Sequence, residues 1–541
     1  MNKRLNIYMI KLSMFMASLF FVWLIPTGVY AQTGEISHTD RQQAFRKLDL
    51  AAYMIDRMYV DSVDVDKLAE GAIRGMLLDL DPHSSYSNAE EVKAFQEPLD
   101  GSFEGIGIEY NMIEDTLVVI QPIAEGPSEK AGLLAGDRII AVNDTAISGV
   151  KMSAMDIISR IKGKKGTLVN IKALRSGVAD KLSFDIKRDE IPLYSINAVS
   201  MAAPHIGYIK IDRFGKQTGD EFVKALHSLK KQGMENLILD LRGNGGGYLV
   251  AAKSVANQFL GKNELIVYTE GRTNDRSELR ANGYGQFKKG RLIVLIDAYT
   301  ASASEIVSGA IQDWDRGVVV GRRSFGKGLV QRPVMLPDNS MIRLTVARYF
   351  TPSGRCIQKP YTTREAYNRE LIERFNRGEL QYEDSIHFPD SLKVHTRRNG
   401  RIVYGGGGIM PDYFVAADTT TVYYRNVVSK GLLLKEISNF IAAHRQELLD
   451  KYTNEDRFIK DFDELPLMEF ELEKLAQKNG IIKSDSADNS LLKIQLKALL
   501  ARDIWGMNVY YKIMNAANSE FIDGLRIIQS SQYEELLKPS I

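Results

Sequence analysis

The sequence of 541 residues contains a single cysteine, Cys356. No disulfide within the chain is therefore possible, and its stability must come from packed cores. A chain of this length is too long for one ordinary core, so we expect three or four domains. The apolar content of 44% and the charged content of 26% are ordinary for a globular protein.

The chain also lacks a strong excess of charge of either sign. Its 70 Lys and Arg residues against 68 Asp and Glu residues leave a net charge of +2, and the basic residues are spread along the chain. Nucleic-acid-binding proteins carry basic patches or stripes. The composition therefore gives no reason to expect a nucleic-acid partner.

The N-terminus has the pattern of an export signal. Basic residues precede an apolar run from Leu12 to Pro26, and the small residues Val29 and Ala31 follow. This pattern is typical of a signal peptide, here over residues 1–31. An uncleaved membrane anchor is the alternative, although the run is short for a span. The segment predicts export to a periplasmic or envelope-associated location in a bacterium.

Hydrophobic periodicity divides the rest of the chain into four regions. They are a helical region at 36–100, a region of short β-like runs at 101–190, a region at 191–415 in which strands alternate with helices, and a helical region at 416–541. Alternating strands and helices predict an α/β layer domain with largely parallel strands. Polar residues at about 352–405 have the character of an insertion into that domain.

The stretch TASASE, Thr300 to Glu305, follows the apolar run RLIVLIDA and opens a predicted helix. A serine at such a corner is either a nucleophile or an ordinary helix N-cap. A serine nucleophile needs a base, and histidine is the usual one, but none of the seven histidines lies in a local motif. Lysine is the other recorded base, and Lys327 follows downstream between two glycines.

Lys327 must be neutral to act as a base. An ordinary lysine has a pKa near ~10.4, so base chemistry at neutral pH requires a pKa lower by about 3, or about 4 kcal/mol. Burial among the neighbouring apolar side chains can lower a lysine pKa by this much. Gln331 lies four residues after Lys327, so its amide oxygen could orient the amine without adding a charge.

The segment Gly321 to Gly328 offers an alternative interpretation, because it nearly matches the phosphate-binding loop G-x-x-x-x-G-K-[ST]. Gly328 replaces the Ser or Thr that would bind magnesium, and the sequence that follows is strand-like rather than helical. We therefore prefer a lysine base to a nucleotide site.

The stretch DLRGNGGG, Asp240 to Gly247, offers donors for an oxyanion. It follows a predicted strand and precedes a predicted helix. Acyl transfer requires N–H donors for the oxyanion of the tetrahedral intermediate. We expect the amide of Ala303 to supply one donor and Gly245 or Gly246 to supply the other. A bare glycine-rich turn is the alternative.

In combination, TASASE, FGKG, Gln331 and DLRGNGGG resemble the carboxyl-terminal processing peptidases, the tail-specific serine proteases of family S41 with a Ser-Lys dyad and a PDZ domain. The resemblance implies Ser302 as the nucleophile, Lys327 as the base and Gln331 as the residue that orients it. It also implies that 191–415 is a peptidase core of the ClpP/crotonase kind. Asp313 matches a residue of some members, but about 11 helical positions amount to about 16 Å, so we expect a structural role for it.

The stretches GSFEGIGIEY and GPSEKAGLLAGDRIIAVND resemble a PDZ domain, which the family places before its peptidase core. Such a domain binds an extended peptide as an added strand and captures its terminal carboxylate with loop amides. Gly105, Ile106, Gly107 and Ile108 are therefore the candidate binding residues. Alternatively, the two glycines serve only a β-turn or bulge.

The sequence thus predicts an exported serine endopeptidase that binds unstructured protein C-termini through its PDZ domain and needs no metal or cofactor. The rival is a catalytically inactive PDZ-peptidase scaffold of the cell envelope. The match at Ser302, Lys327 and Gln331 favours the enzyme. Family relatives use flanking segments for dimerisation or gating, so a homodimer is a further expectation, as is membrane association through an uncleaved signal.

Overall fold

The computed structural model describes residues 38–418, 420–483 and 490–539. The predicted signal peptide at 1–31 lies outside these residues. The chain divides into two compact units, Met1–Met76 and Leu77–Ile541. Within the described ranges, no helix has both the length and the apolar character needed to cross a membrane.

The described part of the first unit is helical. Helix α1 spans His38–Met58, and α2 spans Val65–Leu78, ending just past the boundary of the unit. Asp40 lies in the first turn of α1 and Arg57 in its last turn. Both charges have the sign that the helix dipole favours at that end.

The second unit begins with a short strand and a capped helix. Strand β1 is Ser85–Ser87 and helix α3 is Ala89–Asp100. The Asn88 side chain accepts a hydrogen bond from the Glu91 amide, and the Glu91 carboxylate accepts one from the Asn88 amide. This capping box satisfies two amides that the helix itself cannot bind, and it fixes where α3 begins.

A small β-rich domain follows. Its elements are β2 (Ser102–Gly105), β3 (Ile108–Ile113), β4 (Thr116–Pro122), α4 (Pro127–Lys130), β5 (Arg138–Val142), β6 (Thr145–Ala146), α5 (Ala154–Ile161), β7 (Leu168–Leu174), β8 (Leu182–Lys187) and β9 (Asp189–Pro192). The main sheet has the order β3-β4-β5-β7-β8, with antiparallel neighbours, and β2 pairs with β9. Buried aliphatic side chains, Ile106, Ile139 and Ile157 among them, give this domain its own core.

Strands and helices then alternate. The elements are β10 (Ile196–Ala203), β11 (Ile206–Ile211), α6 (Thr218–Lys231), β12 (Asn236–Asp240), α7 (Leu249–Ala256), β13 (Leu265–Gly271), β14 (Asn274–Arg280), β15 (Leu292–Ile296), α8 (Ala303–Asp313), β16 (Val318–Gly321), β17 (Leu329–Met335) and β18 (Met341–Phe350). After β18 come α9 (Arg364–Asn376), β19 (Lys393–His395), β20 (Ile402–Tyr404) and β21 (Tyr413–Phe414).

The central sheet has the order β10-β11-β12-β15-β16-β21. Strands β10 and β11 are antiparallel, and the remaining neighbours are parallel. Strands β11, β15 and β16 are buried at every position, as expected for parallel strands covered on both faces. Helices α6, α7 and α8 pack against one face.

A second sheet has the order β1-β18-β13-β14, with β17 also paired to β18. Strand β1 is antiparallel to β18, and Ser85 lies opposite Arg343. The start of the second unit therefore joins a sheet whose other strands come from far along the chain.

The C-terminal region is helical in its described residues. It contains α10 (Val422–Ser429), α11 (Leu432–Lys451), α12 (Glu455–Asp461), α13 (Leu465–Lys478), α14 (Ser490–Trp505), α15 (Met507–Asn515), α16 (Ser519–Gln529) and α17 (Gln532–Leu536). Helices α10 to α15 share a core. Side chains from α16 and α17 cover the second face of the central sheet.

Candidate active site

A cleft of about 910 Å³ lies beside the loops that follow β12, β15 and β16. In open α/β sheets, ligands bind where the carboxyl ends of the strands meet such loops. The cleft is lined by the residues predicted as nucleophile, base, orienting residue and oxyanion donors: Ser302, Lys327, Gln331, Ala303, Gly245 and Gly246. The fold thus brings together residues that are far apart in the sequence.

Ser302 occupies the turn between β15 and α8. Its backbone has φ +56° and ψ −113°. A non-glycine residue adopts such a conformation at a cost of about 1–3 kcal/mol, and strain of this kind clusters at functional sites. Ser304, the other serine of the motif, is fully buried and donates a hydrogen bond to the Asn244 carbonyl. Ser302 faces the cleft, whereas Ser304 supports the glycine loop.

One buried carboxylate connects this turn to the loop that carries Lys327. Glu305 accepts hydrogen bonds from the amides of Ser302, Gly326 and Lys327 and from the Ser324 hydroxyl. Burial raises the pKa of Glu305, and the four hydrogen bonds oppose that rise. Sequence reasoning did not assign Glu305 a role, although it closes the TASASE motif, because its partners lie on another loop.

Lys327 is half-buried between β16 and β17. Burial lowers the pKa of its amine, and the positive charge of Arg343, which lines the same cleft, lowers this pKa further. Glu305 and Asp81 act in the opposite direction but do not outweigh the first two causes. The surroundings therefore favour the neutral amine that a general base requires.

Strand β17 follows Lys327 almost directly, where a phosphate-binding loop would need the N-terminus of a helix. The local structure therefore gives no support to the nucleotide alternative. Gln331 lies on β17 at the cleft, and its Nε2 is buried without a hydrogen-bond partner in the part of the chain that the structure describes. Its role in orienting the lysine stays a prediction.

The glycine loop approaches Ser302 so closely that a side chain at residue 246 would collide with it. A Cβ added to Gly246 would lie 2.8 Å from Ser302 Cβ and 3.0 Å from Ala303 N, and φ there is +102°. The Gly246 amide donates to Asn244 Oδ1 at 2.8 Å, so this N–H is already engaged. Of the predicted oxyanion donors, the amides of Ala303 and Gly245 are therefore the better candidates.

In the β-rich domain, the predicted peptide-binding residues form the turn between β2 and β3. Ile106 is buried, and its carbonyl accepts hydrogen bonds from the amide and the hydroxyl of Ser128. Gly107 has φ +73°, and a Cβ there would lie 2.8 Å from Ile191 Cδ1. Ile108 begins β3, which is the edge strand of its sheet within the described residues.

Four segments of the chain match known families. They are residues 205–365 (peptidase family S41), 105–187 (PDZ domain), 27–91 (activating protease CtpB N-terminal domain) and 423–506 (a family of unknown function). The carboxy-terminal processing protease CtpB of Bacillus subtilis is 39% identical over 59% of this chain and 67% of its own length. The carboxy-terminal-processing protease of Bartonella bacilliformis is 36% identical over 64% of this chain and 80% of its own.

Among solved structures, the photosystem II D1 C-terminal processing protease is 31% identical over 58% of this chain and 90% of its own, with a TM-score of 0.34.

The relatives from Bacillus and Bartonella decide the assignment, because each is matched over two thirds or more of its length. The chain belongs to peptidase family S41. It is a serine peptidase of the carboxy-terminal processing type, and the predicted fold class is confirmed: an α/β peptidase core with a PDZ domain and helical N- and C-terminal regions.

Two residues from the start of the second unit, Asp81 and His83, interact electrostatically with Lys327, and sequence reasoning did not connect them with it. Asp81 accepts a hydrogen bond from the Thr345 hydroxyl on β18. His83 Nε2 lies 2.6 Å from Tyr367 Oη, and burial, together with the charge of Lys327, lowers the His83 pKa to about 4. The signal available was the motif DPHSS, which by itself indicates only a turn.

Asp313, the other acidic residue considered for this S41 peptidase, is directed elsewhere. Its carboxylate accepts a hydrogen bond from the Arg355 side chain at 2.7 Å and one from the Ser353 amide at 2.8 Å. Across the described ranges, no group of three or more His, Cys, Asp or Glu side chains is arranged to hold a metal ion.

Proposed function

We propose that this S41 peptidase is an endopeptidase with a Ser302–Lys327 dyad that processes or degrades exported proteins after binding their C-terminal tails. The observation that carries the proposal is the single cleft lined by Ser302, Lys327, Gln331 and the glycine loop. The lowered pKa of Lys327 supports it, because a protonated amine cannot accept the serine proton.

In the first half of the reaction, the neutral Lys327 amine takes the Ser302 hydroxyl proton while Oγ attacks the scissile carbonyl carbon. The amides of Ala303 and Gly245 donate hydrogen bonds to the oxyanion. The protonated lysine, oriented by the Gln331 amide oxygen, then gives its proton to the leaving nitrogen. The C–N bond breaks, and an ester on Ser302 remains.

In the second half, a water molecule loses a proton to Lys327 and attacks the ester carbonyl. The same two amides stabilise the second oxyanion. Lys327 returns its proton to Ser302 Oγ as the carboxylic acid leaves, which restores the starting state. These steps require no metal and no cofactor.

We assign the capture of substrate tails to the PDZ domain. A tail adds as a strand along the edge strand β3, and its terminal carboxylate is bound by amides of residues 105–108. The apolar side chains of Ile106 and Ile108 favour an aliphatic or aromatic final residue. The alternative, that the glycines only form the turn, predicts no dependence on the carboxylate.

The proposal includes a place of action outside the cytoplasm. The basic and apolar pattern of residues 1–31 supports a signal peptide, and a periplasmic or envelope location follows from it. Assembly as a homodimer, and membrane association through an uncleaved signal, belong to the same proposal.

The test is cleavage of an unstructured protein with an apolar, free C-terminus by the purified chain from residue 32 onward, read by mass spectrometry. We expect cleavage by the wild type and none by Ser302→Ala or Lys327→Ala. Equal cleavage by all three would contradict the dyad, and cleavage by none would favour an inactive scaffold. The same substrate with an amidated tail should be cleaved more slowly; an unchanged rate would contradict tail capture.

A further inference from the structure

Arg242, at the start of the glycine loop, is held by residues of the C-terminal region. Its Nη1 donates to Asn518 Oδ1 and lies 3.3 Å from Glu520 Oε2, and its Nη2 lies 3.3 Å from Asn515 Oδ1. The guanidinium also binds Asp240, the last residue of β12, with N···O distances of 3.0 and 2.6 Å. Helices α15 and α16 therefore help to fix the direction in which the chain enters the loop.

Glu520 also reaches the loop that carries Lys327. Its Oε1 lies 2.5 Å from Nη2 of Arg322, the residue that directly follows β16. Glu520 is 3% exposed. Burial alone would raise its pKa, but the charges of Arg322 and Arg242 hold the pKa below its ordinary value. A single buried, ionised carboxylate thus bridges the two loops.

We propose that Glu520 is a positioning residue of the peptidase site. It fixes the loop that supplies an oxyanion donor relative to the loop that supplies the base. The C-terminal region then completes the site in addition to covering the sheet. The inference rests on the proposed function for the roles of the two loops. Misplacing such groups by about 1 Å can cost about 100-fold in rate.

The test compares Glu520→Gln with Glu534→Gln, a control at an ion pair from the same region that is more exposed. Glu534 also comes from the C-terminal region and binds a core arginine, with both oxygens 3.0 Å from Arg291. Arg291 precedes β15, at the end of the strands away from the cleft. We expect Glu520→Gln to lower kcat by about 10- to 100-fold with KM changed less than about twofold, and Glu534→Gln to leave both unchanged.

Hydrogen exchange supplies a readout that does not depend on turnover. The amides of 243–247 and 322–328 should exchange faster in Glu520→Gln than in the wild type, and at the wild-type rate in Glu534→Gln. If Glu520→Gln does not fold, Arg322→Gln breaks the same bridge from the core side.

Unchanged exchange in both loops, or equal effects of the Glu520 and Glu534 substitutions, would overturn the positioning role. If the wild type cleaves no faster than Ser302→Ala, the proposed function fails. The exchange rates still decide whether Glu520 holds the two loops.

Discussion

At the scale of single residues, the proposed mechanism depends on the charge of Lys327, because only a neutral amine can accept the Ser302 proton. Charged groups on three elements affect this pKa: Arg343 on β18 lowers it, and Glu305 on α8 and Asp81 before β1 raise it. His83 has a pKa of about 4 and is uncharged near neutral pH. Removal of the positive charge of Arg343 should therefore most change the ratio of neutral to protonated Lys327.

We expect Arg343→Met to shift the pH profile of kcat/KM. Without the Arg343 charge, protonated Lys327 is less disfavoured, so its pKa rises and the acidic limb moves to higher pH. Arg343→Lys retains the charge and should keep the limb near its wild-type position. The measurement is kcat/KM over about pH 6 to 10. An unmoved limb in Arg343→Met would contradict a contribution of the Arg343 charge to the Lys327 pKa.

At the scale of elements, the start of α8 and the glycine loop form one rigid corner. The Asn244 carbonyl accepts hydrogen bonds from the Ala301 amide and the Ser304 hydroxyl, and the Asn244 side chain holds the Gly246 amide. Hydrogen bonds on both sides of the corner keep the Ala303 amide and Ser302 at a fixed separation from the loop. The corner has no room for a side chain at residue 246, so a single substitution of Gly246 would disturb it.

Gly246→Ala should abolish most turnover. Its methyl group would lie 2.8 Å from Ser302 Cβ and 3.0 Å from Ala303 N, so we expect kcat to fall by about 100-fold or more, as when an oxyanion donor is lost. Gly243→Ala is the control, because it also places an alanine at positive φ in the same loop, at +69°, with nothing within 4 Å of the new Cβ; its backbone strain is smaller than at Gly246, where φ is +102°. The measurements are kcat and urea unfolding. Equal losses of kcat in the two variants would mean that strain, and not blocked space, is responsible.

At the scale of the whole molecule, the central sheet is completed by residues from the C-terminal region. Phe521, Ile527, Ile528 and Tyr533 pack against the face formed by Ile238, Ile293, Leu295, Val318 and Val320. Most of this face is apolar, with the ion pair of Lys210 and Asp240 near the end of its strands, and the apolar part would otherwise be open to water. The C-terminal region and the α/β core should therefore unfold together.

Phe521→Ala should lower the free energy of unfolding by about 3–5 kcal/mol, because it leaves a cavity against the sheet. Ile522→Ala, one residue along the same helix, is the control: this side chain is 46% exposed, and its loss should cost about 0.5 kcal/mol or less. The measurement is urea unfolding followed by circular dichroism and by tryptophan fluorescence, which reports Trp314 in the core and Trp505 in the C-terminal region. Two separate transitions in the wild type would contradict joint unfolding.

The residues that line the candidate cleft could be selected from the sequence, because Ser302, Lys327, Gln331 and the glycine loop each lie in a short motif after a predicted strand. The alternation of strands and helices could also be predicted, because β11, β15 and β16 are short apolar runs in the sequence. What could not be predicted are contacts between distant segments. The pairing of β1 with β18 and the bridge from Glu520 to Arg242 leave no periodicity or motif in the local sequence.

The position of α16 in the chain has a consequence for synthesis. Strands β12, β15 and β16 are complete at Gly321, but the helix that covers their second face begins only at Ser519. While the intervening residues are still being translated, the sheet has an uncovered apolar face and cannot reach its final core. On the proposed role of Glu520, a partly made chain would also lack the bridge that holds the two loops of its cleft.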